Sequence, residues 1–273
     1  MLYSTKGIVF HSLKYSETSI IVKIYTELFG IQSYLIRGIR KTHSKIKPAL
    51  FQSLNLLDLE VYHREQASLQ SIRDLHLAVP YQTIPFDIRK SSVALFINEL
   101  LYKSIREEEP NPDLFGFLWN TCIALDSTQE SVSDFHIRFT VQLMHYLGIF
   151  PQLNYSSETP LFNMREGIFQ AEAPGYPEYI DAKLSINFFA LLKSNLTLAD
   201  PSPDTSQKME APPHGSSPKR EAPPPHPSPK SEGSVILANQ RRELLEKILL
   251  YYQLHLPGFT GIKSHGILHE ALG

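Results

Sequence analysis

The apolar pattern of this chain changes period between Pro80 and Pro85, and that change restricts what the chain can fold into. Before it, apolar residues recur at every second position in short runs: Lys6 to Leu13, Ser19 to Tyr25, Ile31 to Ile36, Phe51 to Tyr62 and Leu69 to Leu77. In the second run Ile20, Val22 and Ile24 share one face. Polar or glycine breaks separate the runs, at Thr26-Glu27, Gly30, Gly38 and His63-Arg64-Glu65-Gln66. Five short strands with turn signals between them predict a small all-β barrel. OB-fold and SH3-like barrels read alike at this level.

After Pro85 the spacing becomes helical. Asp87 is an N-cap for a stripe of Val93, Phe96, Ile97, Leu100 and Leu101, which the acidic run Glu107-Glu108-Glu109-Pro110 ends. Asn111-Pro112-Asp113 opens a second helix through Leu114, Phe117, Leu118, Cys122 and Leu125. Ser133 or Asp134 caps a third, through Phe139 and Leu143 to Gly148. Residues Phe150 to Asp181 read as irregular, Leu184 to Leu198 and Val235 to His255 as helical, with a short helix after Ser264. Ten of the 20 prolines lie between Pro201 and Pro229, so residues 201–233 cannot bury enough apolar surface to order themselves. The expected organisation is α+β and multi-domain. A barrel occupies 1–80, and a helical domain occupies 81–273 with a disordered Pro-rich insert.

Several functions are disfavoured. The lone Cys122, set among apolar residues, can form no internal disulfide or thiolate zinc site and reads as packing. No apolar run approaches the roughly 18 residues of a membrane span, and no secretory h-region is visible, so a soluble cytoplasmic protein is expected. Phosphate-loop, dinucleotide, nucleophile-elbow and zinc-protease motifs are missing, and no enzyme is expected. His265 and His269 have the spacing of a two-histidine metal face but no assignable partner, so a structural role is expected of them and no metal or cofactor is expected. Glu107, Glu108, Glu109 and Asp113 read as a solvated acidic junction or as a screen against nonspecific DNA.

The clearest charge feature is Arg37, Arg40, Lys41, Lys45 and Lys47, five positive charges with no acid among them. The cluster leaves a predicted strand, where small barrels hold single strands by a basic groove and stacking aromatics. Tyr34 precedes it, and Lys6, Lys14 and Lys23 add charge elsewhere in the barrel. A solvated loop is the plainer interpretation of the same charges, and Tyr34 can equally be core. Arg138, Arg241 and Arg242 are cations beside apolar helical stripes.

Taken in order, several segments resemble the DNA repair protein RecO family. These are Gly7-Ile-Val9, Tyr15-Ser-Glu17, Ser19 to Tyr25, Thr26-Glu27-Leu-Phe-Gly30 and Arg37-Gly38-Ile-Arg40. Leu143 to Pro151 and Leu249 to Leu272 continue the series. The resemblance implies an N-terminal OB-fold and a helical domain. It implies a recombination mediator in the bacterial nucleoid that binds single- and double-stranded DNA, anneals complementary strands and assists RecA loading. Implied partners are RecR, the acidic C-terminal tail of the single-stranded-DNA-binding protein and, further out, RecF. The basic loop inherits DNA binding; Arg138, Arg241 and Arg242 are the expected grip on the tail. Many members carry a four-cysteine zinc site after the L-G-x-x-P segment. Here the residues after Pro151 contain no cysteine, so packing by Phe162 and Phe169 is expected to hold that loop. The competing interpretation is a protein adaptor with only incidental DNA contact; a metal nuclease is a third and weaker one.

Overall fold

A computed structural model describes residues 1–39, 46–106, 108–196 and 238–272. Its longest strand, β1 (Leu2–Lys14), serves two neighbours. Leu2 to Ile8 pair antiparallel with β4 (Leu56–Tyr62), and Gly7 to Lys14 pair with β2 (Ile20–Thr26). A register shift between Val9 and His11 bends the strand just beyond the overlap, as an extra residue in one strand of a pair does. With β3 (Gly30–Ile36) and β5 (Ser71–Val79) added, the order is β3-β2-β1-β4-β5.

The sheet curls until its outer strands meet. Tyr34 and Gln70 form a parallel bridge, and the Gln70 N–H donates to the Ser33 carbonyl at 2.8 Å. The Leu35 N–H donates to the Gln70 carbonyl at 3.1 Å. The seam is one bridge and not a ladder, which gives the partly open five-stranded barrel of an OB-fold. Its interior is filled by inward-pointing Val9, Val22, Ile24, Tyr34, Leu57 and Val61.

The helices start where their caps are. The Asp87 carboxylate accepts from the N–H groups of Arg89 and Lys90 and opens α1 (Ile88–Ser104). Asn111 accepts from the Leu114 N–H and opens α2 (Pro112–Ser127). Asp134 stands at the cap position of α3 (Phe135–Tyr146) but makes no capping bond there. Its carboxylate goes to Arg241 Nε at 2.6 Å, tying α3 to α5 (Ala238–His255). The remaining helices are α4 (Ala182–Leu196) and α6 (His265–Leu272). The expected insert at 201–233 and the expected start of α5 at Val235 lie outside the described residues.

Residues 150–181 differ from expectation. They hold a small sheet, β7-β6-β8, built from β6 (Leu161–Asn163), β7 (Ile168–Gln170) and β8 (Tyr179–Ile180). Strands of two or three residues are too short to show alternation, so the sequence pattern hides them. Phe162 and Phe169 are buried with ring centroids 4.9 Å apart, and Phe188 packs on Phe162 at 4.9 Å. Aromatic packing therefore holds this segment.

The outer face of the barrel is not free throughout. Ile8, Tyr25 and Leu56 belong to the same buried cluster as Phe96, Leu100 and Phe115 of the helices. The connector between barrel and α1 is locked by a buried side chain, Asp126, which accepts from the N–H groups of Gln82, Thr83 and Ile84 at 2.8, 2.8 and 2.9 Å. Cys122 is buried, and burial pushes its thiol up to about 12, in keeping with packing.

A second carboxylate holds the far end of the chain. Glu99 on α1 accepts from the N–H groups of Lys263 and Ser264, from the Ser264 hydroxyl at 2.6 Å, and pairs with Lys103 at 2.7 Å. Burial alone would raise its pKa, but these donors outweigh it and bring the carboxyl from 4.5 to about 2. A depressed carboxylate contributes stability that is complete above 4.5 and is lost as pH falls toward 2. Glu99→Gln should therefore flatten the acid-side loss of stability across that window. Urea unfolding at stepped pH would show it; an unchanged slope would remove Glu99 as the acid-sensitive tie.

Candidate nucleic-acid interface

In an antiparallel sheet, directly opposed residues point to the same face, and that face alternates along each strand. The registers therefore sort the outer face of β1, β2 and β3 into rows. Ile8, Tyr25 and Ile31 form one row, and it is packed against the helical unit. His11, Lys23 and Ser33 form the next, half covered by Tyr102 of α1. The Lys23 ammonium lies 5.3 Å from the Tyr102 ring centroid. Leu13, Ile21 and Leu35 form the last row, with Leu13 exposed and Ile21 and Leu35 half-buried.

Arg37 follows β3 directly and is exposed. Lys47 is exposed just before the 3-10 turn Pro48–Phe51. Ile39 and Ile46 both pack on the barrel interior, so Arg37 and Lys47 stand at one end of the barrel. Neither has an ion-pair partner among the described residues. Arg40, Lys41 and Lys45 lie outside the described residues. Lys14 reaches the same end: it opposes Ile20, which opposes Ile36, and both isoleucines point into the barrel, so Lys14 stands over its mouth. Glu17 is the acid in the β1–β2 turn.

Two expectations need correction. Tyr34 has no exposed surface and packs in the barrel interior, so it offers no ring face to a base. Burial without a partner for its hydroxyl also raises that group's pKa well above 10. Alternation explains the error: Tyr34 occupies the inward register of β3, one step from the outward Leu35. Lys6 lies eight residues before Lys14 on β1, about 26 Å along an extended strand. There it sits over the Trp119 ring at 5.2 Å and shares a depression with Glu27, Asp58, Glu60 and Asp74. That is an acidic setting at the wrong end, and a phosphate chain would be repelled from it.

A groove of about 780 Å³ separates the lower β2–β3 face and the 63–68 loop from the end of α1. Its acids are Glu65, Glu108 and Glu109. Two of its cations are already used: Lys103 pairs with Glu99, and Arg106 donates to the Gly258 carbonyl. Glu108 and Glu109 of the acidic junction read from sequence thus line one wall of this groove, beside the barrel; Glu107 lies outside the described residues, and Asp113 is not in the lining.

The helical cations fare differently from one another. Arg241 is committed to Asp134, with its side chain only 14% exposed, which corrects the expectation that it is available to a peptide tail. Arg242 is exposed and pairs with Glu246 at 3.3 Å, while Arg138 is half-buried one turn after Asp134. His265 and His269 face each other with ring centroids 5.9 Å apart. Among the described residues no group of three or more His, Cys, Asp or Glu side chains is placed to hold a metal ion. Among the described residues, no helix is long and apolar enough to cross a membrane.

Sequence reasoning missed the outward row Leu13–Ile21–Leu35 and the exposed Tyr15 beyond it. A signal existed: these apolar residues fall at the alternate positions of strands whose other positions already supply the core.

Comparison with known proteins agrees with this architecture. The family model described as Recombination protein O N terminal matches residues 1–81, and that described as Recombination protein O C terminal matches residues 85–160. A DNA repair protein RecO of Flavobacterium johnsoniae is 34% identical over 273 residues, covering 99% of each chain. The RecO proteins of Bacteroides fragilis strains are 32% identical over 271 residues, again covering 99% of each. That of Christiangramia forsetii is 31% identical over 276 residues and covers 100% of both.

Proposed function

Because the chain belongs to the RecO family of DNA repair proteins, we propose that it is a recombination mediator whose barrel grips DNA through the end that carries Arg37. The mediator binds single- and double-stranded DNA, anneals complementary strands and helps RecA load onto DNA coated by single-stranded-DNA-binding protein. It works without turnover, in the cytoplasm. RecR, the acidic tail of the single-stranded-DNA-binding protein and RecF are its protein partners under this reading. Residues 1–80 act as the DNA-holding unit and 81–273 as the partner-holding unit, with Arg138 and Arg242 the cations left for the tail.

The observation that carries this reading is the placement of Arg37, Lys14 and Lys47 at one barrel end, away from the acids around Lys6. Arg40, Lys41 and Lys45 fall between two of these in sequence and extend the same proposal. Cations that meet phosphates release counterions, so binding falls steeply with salt and is blind to sequence.

The test is the triple charge reversal Arg37→Glu, Arg40→Glu, Lys41→Glu. It should weaken single-strand binding for all sequences alike. It should also reduce the log–log salt slope by about 2, three phosphates at about 0.7 each. Unchanged affinity and slope would take the barrel end out of the mechanism. No binding by the unaltered chain at about 150 mM salt unless a protein partner is present would favour an adaptor instead.

A further inference from the structure

We propose that Tyr15, with the row Leu13–Ile21–Leu35, is a stacking platform for unpaired bases, which makes the basic barrel end prefer single strands over duplex. This rests on the DNA-holding reading above and adds what that reading lacks, a reason for the barrel to sense whether bases are paired.

The platform is built from the β1–β2 hairpin. The Tyr15 and Ser16 N–H groups both donate to the Ser19 carbonyl, at 3.0 and 3.1 Å, which closes a tight turn just beyond Lys14. Tyr15 is 60% exposed there and Leu13 is 41% exposed. Among the described residues no ring contact or side-chain hydrogen bond occupies Tyr15, so its exposure serves no packing in the fold. Leu13 opposes Ile21, and Ile21 opposes Leu35, so three apolar side chains lie in one outward row about 10 Å across. Carrying the alternation one step past the strand ends puts Tyr15 beyond Leu13 and Arg37 beyond Leu35. Lys23 flanks the row on its other side. An apolar and aromatic strip with cations on both margins matches a single strand, whose bases present π-faces and whose phosphates run alongside. A wholly apolar protein partner would leave those margin cations without counter-charge. A duplex offers its phosphates to Arg37 but keeps its bases stacked inside, out of reach of Tyr15.

The experiment uses the full chain with three probes of equal length: oligothymidylate, an abasic deoxyribose-phosphate strand and a duplex. Tyr15→Ala should lower affinity for oligothymidylate roughly tenfold, while Tyr15→Phe keeps it. Neither variant should change affinity for the abasic strand or the duplex, and thermal melting should be unaltered because the ring is exposed. Equal oligothymidylate affinity in Tyr15→Ala overturns the platform and leaves the strip as a protein-docking face. An equal loss on the abasic strand also overturns it, since the ring would then be acting on the sugar-phosphate chain. If the unaltered protein holds none of the three probes, the DNA-holding reading itself fails, and the platform with it. Salt-sensitive binding that Tyr15→Ala leaves intact sinks the platform alone.

Discussion

Replacing Asp126 with alanine should destabilise the protein by about 3–5 kcal/mol, the loss expected when one member of a buried charged network is removed. The carboxylate is the acceptor for three consecutive backbone donors, Gln82, Thr83 and Ile84, and for the Thr83 hydroxyl at 3.2 Å. Alanine leaves the buried Ile84 N–H, and the partly buried donors of Gln82 and Thr83, without this acceptor. Lys90 compounds the cost, because its buried ammonium donates to the Thr83 hydroxyl at 2.7 Å and to the Asp126 and Thr128 carbonyls at 2.8 Å. Removing the carboxylate takes away the negative charge that sits one hydroxyl from that ammonium. Asp126→Asn keeps one acceptor oxygen but not the charge, and should cost about half as much. Burial works against the Asp126 anion, yet the N–H groups of Gln82, Ile84 and Thr83 outweigh it and hold its pKa below 3.8. Its contribution is thus complete above 3.8 and is lost only as pH falls through that lower value. Urea unfolding at neutral pH measures the cost. Both variants within 1 kcal/mol of the parent, an order-of-magnitude threshold for a single hydrogen bond, would show that the connector holds without this lock.

Gly30→Ala should cost about 2–4 kcal/mol, the sum of left-handed backbone strain and overpacking. Gly30 has φ +59°, and a Cβ there would lie 2.5 Å from the Glu109 carbonyl oxygen and 2.8 Å from the Glu108 carbonyl carbon. Those are backbone atoms of the loop after α1, so the β2–β3 turn is wedged directly against the helical unit. Gly148 provides the control, with φ +68° and no atom within 4 Å of its Cβ position. Gly148→Ala pays only the backbone term. The difference between the two variants in thermal or chemical unfolding reports how firmly barrel and helices are docked. Equal costs would mean that the 108–109 loop yields freely and that the two units are held elsewhere.

Much of the architecture was readable from local chemistry. Alternation in Ile20, Val22 and Ile24 marked a strand with a buried face, and those three residues do point into the barrel. Asp87 and Asn111 marked helix starts because a short side-chain acceptor can satisfy backbone N–H groups only there. The missing cysteines after Pro151 left aromatic packing to hold that segment, and Phe162 and Phe169 supply it.

The candidate interface was legible only in part. Its charge was visible, because Arg37 to Lys47 are neighbours in sequence. Its geometry was not, because strand pairing decides which residues share a face. Tyr34 and Leu35 are adjacent in the chain, yet one points into the core and the other lies half-buried on the outer face. Lys6 and Lys14 look equivalent on one strand, yet β4 brings acids beside the first and β2 brings the barrel mouth beside the second. Arg241 reads as a free cation until α3 places Asp134 2.6 Å away. Sequence alone determined the type and order of the longer strands and helices and the sign of the local charge, since these follow from propensity, period and composition over several residues, whereas the two- and three-residue strands of 161–180 are too short to carry a period. Register, the choice of which half of the barrel the helices cover, and the pairing of distant charges depended on tertiary contacts, because each brings together groups that the chain keeps tens of residues apart.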